Sequence, residues 1–343
     1  ACLVGSEMCI RDRPYHYRNK VHAAFGRDRY NNIICGSYEE SSHRIVDNTA
    51  CLIEDTRAKA IIEVIRRLAD DFGLKIYDER NGTGLLRHVL IRTGHKSGQI
   101  LVILVMASTF FPSKKNFIRE LIRECPEITS VVININNRRT SMILGDRQYT
   151  EYGSGYIEDT LCGITYRISP KSFYQVNAVQ TELLYTKAIE LARLTGSETV
   201  IDAYSGIGTI GMTVAGHVRK VISVETNTDA VKDARRNAKA NNISNIDIYA
   251  DDAGRFMRRM ADNNETCDVI FMDPPRAGSD KVFLNSILKL MPSKVIYISC
   301  CPETLARDLA VLARRAYRVA AIQPVDMFPW TSGIETIVCL ERR

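Results

Sequence analysis

The feature that most constrains this 343-residue chain is the regular alternation of apolar runs and amphipathic stretches over its second half. Thr199–Ala203, Lys220–Glu225, Ile246–Ala250, Asp268–Asp273 and Lys294–Ser299 read as strands, the last with a buried apolar run at Val295–Ile298. Helical patterns fall between them, at 212–216, 229–241 and 282–290, and a further one follows at 303–316. Strands spaced by helices of this length predict a parallel, doubly wound α/β sheet. The last two runs, Arg318–Gln323 and Glu335–Leu340, have only a loop between them, so they are expected to pair antiparallel.

The first half carries a second, smaller pattern. Thr56–Phe72 and Asn116–Glu124 have the spacing of amphipathic helices. Leu85–Arg92, Gln99–Met106 and Ile128–Ile135 read as strands, and the polar stretch Gly145–Gly155 as a loop. Residues 14–167 are therefore expected to form a small α/β domain. A lead-in segment, Lys171–Asn177, and a helix at 178–194 open the larger domain, 168–343. Ala1–Arg13 has no period and is set apart as a tail, either foreign to the chain or natively disordered.

Charge and cysteine usage narrow the class. The net charge is +6, a weak pointer to a polyanionic partner. The stretch Tyr15–Ser42 is rich in basic and aromatic residues, including Tyr15, Arg18, Lys20 and Tyr30. Such residues meet phosphates and stack on bases, which makes Arg18 and Lys20 candidate RNA contacts. The same composition also suits the solvated face of an antiparallel sheet. Ten cysteines are scattered without the spacing of a disulfide framework, and Ala1–Arg13 has no secretory pattern, so a reducing cytoplasm is expected. No C-x-x-C pair is present, so no self-contained zinc site is expected. No apolar run approaches the roughly 20 residues of a membrane span, so no membrane partner is expected.

Chemistry-bearing residues fall at the predicted strand ends. Gly206-Ile-Gly208-Thr-Ile-Gly211 follows the first strand of the large domain, and Glu225 ends the second. This is the G-x-G-x-x-G arrangement that suits NAD or FAD, although glycines and a ribose-binding acid serve any nucleoside. Cys300 ends the strand Lys294–Ser299 and precedes a helix. A thiolate there would be a nucleophile favoured by the helix amino terminus, unless Cys300 is one more small buried side chain. Asp273-Pro274-Pro275-Arg276 ends another strand, where the prolines also suit a rigid stop.

Two features resemble class I S-adenosylmethionine-dependent methyltransferases: the D-x-x-x-G-x-G lead-in from Asp202 to Gly208, and the D-P-P at Asp273. Longer segments resemble the successive motifs of the RumA/TrmA family of RNA uracil-C5 methyltransferases. They are Ser172–Asn177 (SFYQVN), Asp202–Gly211 (DAYSGIGTIG), Met272–Gly278 (MDPPRAG), Ser299–Leu309 (SCCPETLARDL) and Asp326–Thr336 (DMFPWTSGIET). The segment Ser42–Asp47 together with Cys51 is most similar to the branch acting on 23S ribosomal RNA. The resemblance implies a Rossmann-like methyltransferase domain, S-adenosylmethionine as methyl donor, and an RNA partner bound by a monomer. It implies Cys300 as the nucleophile toward C6 of uracil, Glu335 as the base that removes the C5 proton, and Asp273 beside the reacting base. The implied cofactor contacts are Gln175, Tyr204, Gly206, Gly208, Glu225, Asp273 and Asp252, the last being equally readable as a surface acid.

The chain departs from the family pattern in places. Cys301 stands where the family has Asn, and neither histidine of P-H-T-x-H-x-E is present between Pro329 and Glu335. Cys51 matches the fourth ligand of the relatives' iron–sulfur cluster, and three further thiolates and an amino-terminal RNA-binding barrel would belong to a longer parent. Three other activities compete: the same chemistry on transfer RNA, an NAD-dependent oxidoreductase, and an inactive RNA-binding remnant. The oxidoreductase would account for GIGTIG and Glu225 but not for Asp273, Cys300 and Glu335 together.

Overall fold

The computed structural model describes residues 14–47, 50–139 and 142–343; the tail expected at 1–13 lies outside them. The described chain forms two compact units, one of residues 15–160 and 167–171 and one of 161–166 and 172–343.

The first unit is a seven-stranded mixed sheet. Its strands are β1 (Lys20–Arg27), β2 (Ile33–Tyr38), β3 (Ile45–Asp47), β4 (Leu86–Thr93), β5 (Ile100–Met106), β6 (Ile128–Ile135) and β7 (Arg147–Tyr152). They lie in the order β3-β2-β1-β4-β5-β6-β7. Only β5 and β6 are parallel, because α2 (Lys114–Glu124) crosses between them. α1 (Thr56–Asp71) buries Ile61, Ile65 and Leu68 in one apolar core with Val21, Phe25, Val89 and Ile91 of the sheet. Asp55 caps α1, accepting from the Arg57 N–H at 2.9 Å. Strand β7 corrects the expectation of a loop at 145–155. It is an edge strand exposed along nearly its whole length, so its sequence carries no alternation of buried and exposed residues. The antiparallel pairing of β1 and β2 places the basic, aromatic stretch 15–42 largely in this sheet.

The chain passes to the second unit through β8 (Ile157–Leu161) and β9 (Ile164–Ile168), which pair as a two-stranded sheet. The second unit holds α3 (Ala178–Ala192), β10 (Thr199–Ala203), α4 (Thr209–Ala215), β11 (Lys220–Glu225), α5 (Thr228–Ala240) and β12 (Ile246–Ala250). It continues with α6 (Ala253–Asp262), β13 (Val269–Met272), α7 (Lys281–Leu290), β14 (Lys294–Ser299), α8 (Pro302–Ala313), β15 (Tyr317–Val325) and β16 (Glu335–Arg342). The strand order is β12-β11-β10-β13-β14-β16-β15, parallel through β14, with β16 antiparallel to both its neighbours. This is the expected doubly wound sheet with an antiparallel last strand. Helix α6 is an addition to the expected order. Its buried side chains, Ala253, Phe256, Met257 and Met260, keep helical spacing, but three arginines interrupt so short a run.

Asp202 on β10 holds the glycine turn to the sheet. Its carboxylate accepts from the Gly211 N–H at 2.8 Å and the Ser223 hydroxyl at 3.4 Å, while Oδ1 is buried without a partner. Gly211 has to be glycine, since a Cβ would lie 2.6 Å from Asp202 Oδ2 and Ser223 Oγ. Burial pushes the Asp202 carboxyl up to about 7, against the two hydrogen bonds and with help from nearby Asp273 and Glu225. A folded-state pKa raised above the unfolded one means that the folded chain binds the extra proton, so this group's contribution to stability is lost as pH rises through about 7. Asp202→Asn removes that loss. The difference in Tm between the variant and the parent should grow in the variant's favour between about pH 4 and pH 7 and then level off, which a thermal-melt series across pH would record.

Candidate active site

The strand order reverses between β10 and β13, and the carboxyl ends flanking such a switch point form the ligand crevice of doubly wound sheets. Register decides which side chains meet there. Ala203 pairs with both Val224 and Met272, so the next residues along, Glu225, Tyr204 and Asp273, end their strands at one level. Met272 pairs with Tyr297 on β14, two residues short of Ser299. Ser299 pairs antiparallel with Thr336, which sets Glu335 opposite Cys300. The two residues are 35 apart in sequence, and the sheet makes them neighbours.

Glu335 is 4% exposed, and its Oε2 has no hydrogen-bond partner. Burial raises its pKa; nearby Asp273 raises it further and Arg276 opposes. Burial also drives the Asp273 carboxyl upward. Cys300 is half-buried. Its thiol pKa is raised by burial first, then by Glu335 and Asp273, while Arg276 works the other way through charge and a hydrogen bond. The helix terminus was expected to favour the thiolate. Instead the net effect of the pocket is to favour the thiol. Cys301 lies in other company: its thiol donates to Glu303 Oε2 at 3.2 Å, and its N–H donates to Ser299 Oγ at 3.2 Å.

A family model described as tRNA (Uracil-5-)-methyltransferase matches residues 131–343. The chain belongs to the RNA uracil-C5 methyltransferases. It is 43% identical over 330 residues to an uncharacterized RNA methyltransferase of Halalkalibacterium halodurans, covering 96% of this chain and 72% of that relative. Over 329 residues it is 41% identical to an uncharacterized RNA methyltransferase of Listeria innocua, covering 96% and 72% of the two chains. Among solved structures, it is similar to the Pyrococcus abyssi tRNA (uracil-54, C5)-methyltransferase in complex with S-adenosyl-L-homocysteine. That match has a TM-score of 0.81 and 26% identity, and covers 98% of this chain and 77% of the other. The enzyme is an S-adenosylmethionine-dependent RNA methyltransferase.

The residues present in this methyltransferase fit that methyl donor. Gly206 takes a φ of +57°, and a Cβ there would meet nothing within 4 Å, so the turn leaves open space above its backbone. Gly208 has a φ of +83° and starts α4, with Met212 and Ala234 packed close behind it. Glu225 accepts from the Gly206 N–H at 2.9 Å and the Asn227 N–H at 2.7 Å, which fixes its carboxylate against the turn. Tyr204, held at a φ of +64°, packs on Phe283 and donates to Ser279 Oγ at 3.4 Å. Gln175 is buried two residues before Asn177, the cap of α3. Asp252 caps α6, accepting from the Arg255 N–H at 2.9 Å, so the carboxylate has a structural task whether or not it also touches a ligand.

Three other sequence-derived candidates belong to the first unit. Arg18 is half-buried and donates to the Lys20 carbonyl at 3.2 Å. Lys20 is lowered to about 8 by burial, with Arg92 and Arg18 adding to the effect. The Cys51 carbonyl accepts from Lys59 Nζ at 2.8 Å.

The geometry adds residues that motif reading did not assign. Arg276 is the cation facing Cys300 and Glu335. Its loop is clasped by α8: Thr304 donates to the Arg276 carbonyl at 3.1 Å, and Arg307 donates to the Ala277 carbonyl at 2.9 Å. Asp308 is fully buried and accepts from the Ser279 N–H and the Tyr297 hydroxyl, each at 2.8 Å. The signal was available, since Asp308 lies on the same helical stripe as Leu305 and Leu312, where an acid needs a buried partner. Because Arg276 favours the thiolate, Arg276→Gln should move the pH midpoint for alkylation of Cys300 upward by about one pH unit. Peptide mapping after iodoacetamide treatment across pH resolves Cys300 from Cys301. An unchanged midpoint would remove Arg276 from the site's electrostatics.

Proposed function

We propose that this enzyme methylates C5 of a uridine in ribosomal RNA through a covalent adduct between Cys300 and C6 of the uracil ring, acting as a monomer in the cytoplasm. The observation that carries this reading is the convergence of Cys300, Glu335, Asp273 and Arg276 at one strand edge, where Asp273 and Arg276 act in opposite directions on both Cys300 and Glu335. Residues 168–343 supply the chemistry. Residues 14–167, with Arg18 and Lys20, supply RNA contacts. Cys51 would serve an iron–sulfur cluster only in company with three further thiolates.

C5 of uracil is a weak nucleophile, and the cluster offers a way to make it stronger. Cys300 loses its proton to the Asp273 carboxylate, leaving Glu335 free, and the thiolate bonds to C6 while the C5–C6 π electrons move to C5. Asp273, protonated in that step and favoured in its neutral form by burial, is then suited to donate a hydrogen bond to the ring carbonyl as charge develops there. The bound methyl donor supplies an electrophilic methyl carbon to C5. Glu335 then takes the C5 proton, the electrons of that C–H bond restore the C5–C6 double bond, and the thiolate leaves. A carboxyl raised toward neutrality is a competent base for this step, and its unpartnered Oε2 leaves a lone pair to receive the proton. Gln175, Tyr204, Gly206, Gly208, Glu225 and Asp252 would hold the donor.

Transfer RNA is the second reading, favoured by the likeness to a transfer RNA enzyme. Assay of tritium transfer from labelled methyl donor into separated ribosomal and transfer RNA distinguishes the two. Label confined to transfer RNA would overturn the ribosomal assignment.

Cys300→Ala should abolish methyl transfer, by at least about a thousandfold as expected of a lost nucleophile, while leaving methyl-donor affinity within about twofold. Activity that survives there and disappears in Cys301→Ala would move the role to Cys301. Glu335→Gln removes a negative neighbour of the thiol as well as the base. Adduct formation should therefore extend to lower pH while product release stalls, so that a methylated protein–RNA adduct accumulates on denaturing gels. Rapid turnover in this variant would exclude Glu335 as the base.

A further inference from the structure

The first unit contains a cavity of about 680 Å³ whose walls include His22, Tyr38, Tyr77, Glu79, Arg87 and His88. These residues belong to a different set from the strand-end cluster described above. Strand geometry explains how they converge. His22 alternates with Val21 and Ala23, which belong to the apolar core shared with α1, so it faces away from that core. The β4–β5 ladder breaks register between Leu86 and His88, leaving Arg87 as the extra residue of a bulge. In a regular strand Arg87 and His88 would face opposite sides of the sheet. Here both line one cavity.

The chemistry of the walls suits a flat, uncharged ring bearing N–H groups. The rings of His22 and His88 lie 5.1 Å apart, with Nε2 of one 3.3 Å from Nδ1 of the other. Tyr38 meets His88 edge-on at 6.3 Å. Arg87 stacks on Tyr77 at 4.4 Å, is 3% exposed, and keeps Nε buried without a partner, although its Nη1 donates to both the Asn136 and Arg138 carbonyls and its Nη2 lies 3.9 Å from Glu79. Burial holds both histidines neutral, His22 down to about 4 with Lys20 and Arg18 adding to the effect, and His88 to about 3 with His22 and Arg87 adding to it. They offer ring nitrogens for hydrogen bonding rather than positive charge. Glu79, which accepts from Tyr38 Oη at 3.4 Å and pairs with His43 Nδ1 at 2.9 Å, opposes a phosphate but can accept from a base N–H. A second cavity of about 680 Å³ shares Tyr38, Tyr77, Glu79 and Arg80, and its rim carries the exposed Arg27 and Arg29. Flat rings in one compartment and exposed cations in the next match the base and backbone of a single strand.

We propose that the His22–Tyr38–Tyr77–His88 cavity holds an unpaired nucleobase of the RNA substrate, outside the nucleotide that is methylated, and that Arg27, Arg29 and Arg80 meet the adjoining phosphates. This site rests on RNA being the substrate and adds a specificity element to the proposed function.

The test uses the full chain and a short single-stranded RNA of mixed sequence carrying 4-thiouridine. Tyr38→Ala should weaken RNA affinity about tenfold through lost stacking, while Tyr38→Phe retains it. Arg80→Glu, at an exposed position, should lower affinity and reduce the slope of log K against log salt by about one. Methyl-donor affinity should be unchanged in all three, and photocrosslinks in the parent should map to residues 22–88. Parental RNA affinity and salt slope in Arg80→Glu, or crosslinks confined to 172–343, would overturn the site. Should Tyr38→Ala fail to fold, Arg80→Glu and the crosslink map still decide. A parent chain that binds this RNA with the predicted variant pattern but labels no cellular RNA supports the site and counts only against the proposed methyl transfer.

Discussion

The proposed chemistry rests on an electrostatic conflict at the carboxyl edge of the second sheet. Two carboxyls, Asp273 and Glu335, and the thiol of Cys300 are gathered where water is partly excluded, with Arg276 as the opposing cation. Not all three acids can ionise together, since each negative charge disfavours the next. The thiol is therefore favoured at rest, and in the proposed mechanism Asp273 and Glu335 receive the thiol proton and the C5 proton in turn. A cluster built for stability alone would not leave Glu335 Oε2 buried and unpaired.

The rest of the unit maintains that conflict. The antiparallel pairing of β16 with β14 sets Glu335 against Cys300, so a slip of one residue would turn the acid to the other face. Asp308 ties the Asp273–Ser279 segment to α8 and β14 by accepting from Ser279 and Tyr297, and Arg307 and Thr304 fix three of the loop's carbonyls. Gly278 takes a φ of +74° inside this clasp, with no room for a Cβ beside Arg307 and Asp308. The cation that moderates the thiol is thus carried on a loop with little freedom. On the donor side, Asp202 and Glu225 brace the glycine turn through backbone N–H groups, leaving its outer surface open.

Much of the fold was legible in the sequence because parallel strands inside a doubly wound sheet are largely apolar runs. Thr199–Ala203, Lys220–Glu225 and Lys294–Ser299 form strands with those bounds, and Ile246–Ala250 forms its expected strand at the exposed sheet edge. What escaped lacked that signal: β7 is exposed nearly throughout, and α6 is short and rich in arginine. Cys300 and Asp273 could be singled out from their positions at strand ends. Glu335 could be reached only through family resemblance, because an acid at the start of a strand is ordinary until register places it beside a thiol. Arg276 sat in view inside a motif, yet its effect on Cys300 depends on the fold. The cavity in the first unit was illegible, since His22 and His88 are 66 residues apart and a bulge rather than strand alternation brings Arg87 to the same wall.

The central claim is that Cys300 attacks C6 and that a separate base must remove the C5 substituent. RNA containing 5-fluorouridine addresses it directly, because a C5–F bond offers no proton for Glu335 to take. Incubation with the methyl donor followed by proteolysis and mass spectrometry should find the trapped, methylated nucleotide on Cys300. Attachment to Cys301 instead, or methyl transfer to normal RNA with no trapped adduct on the fluorinated RNA, would contradict the account.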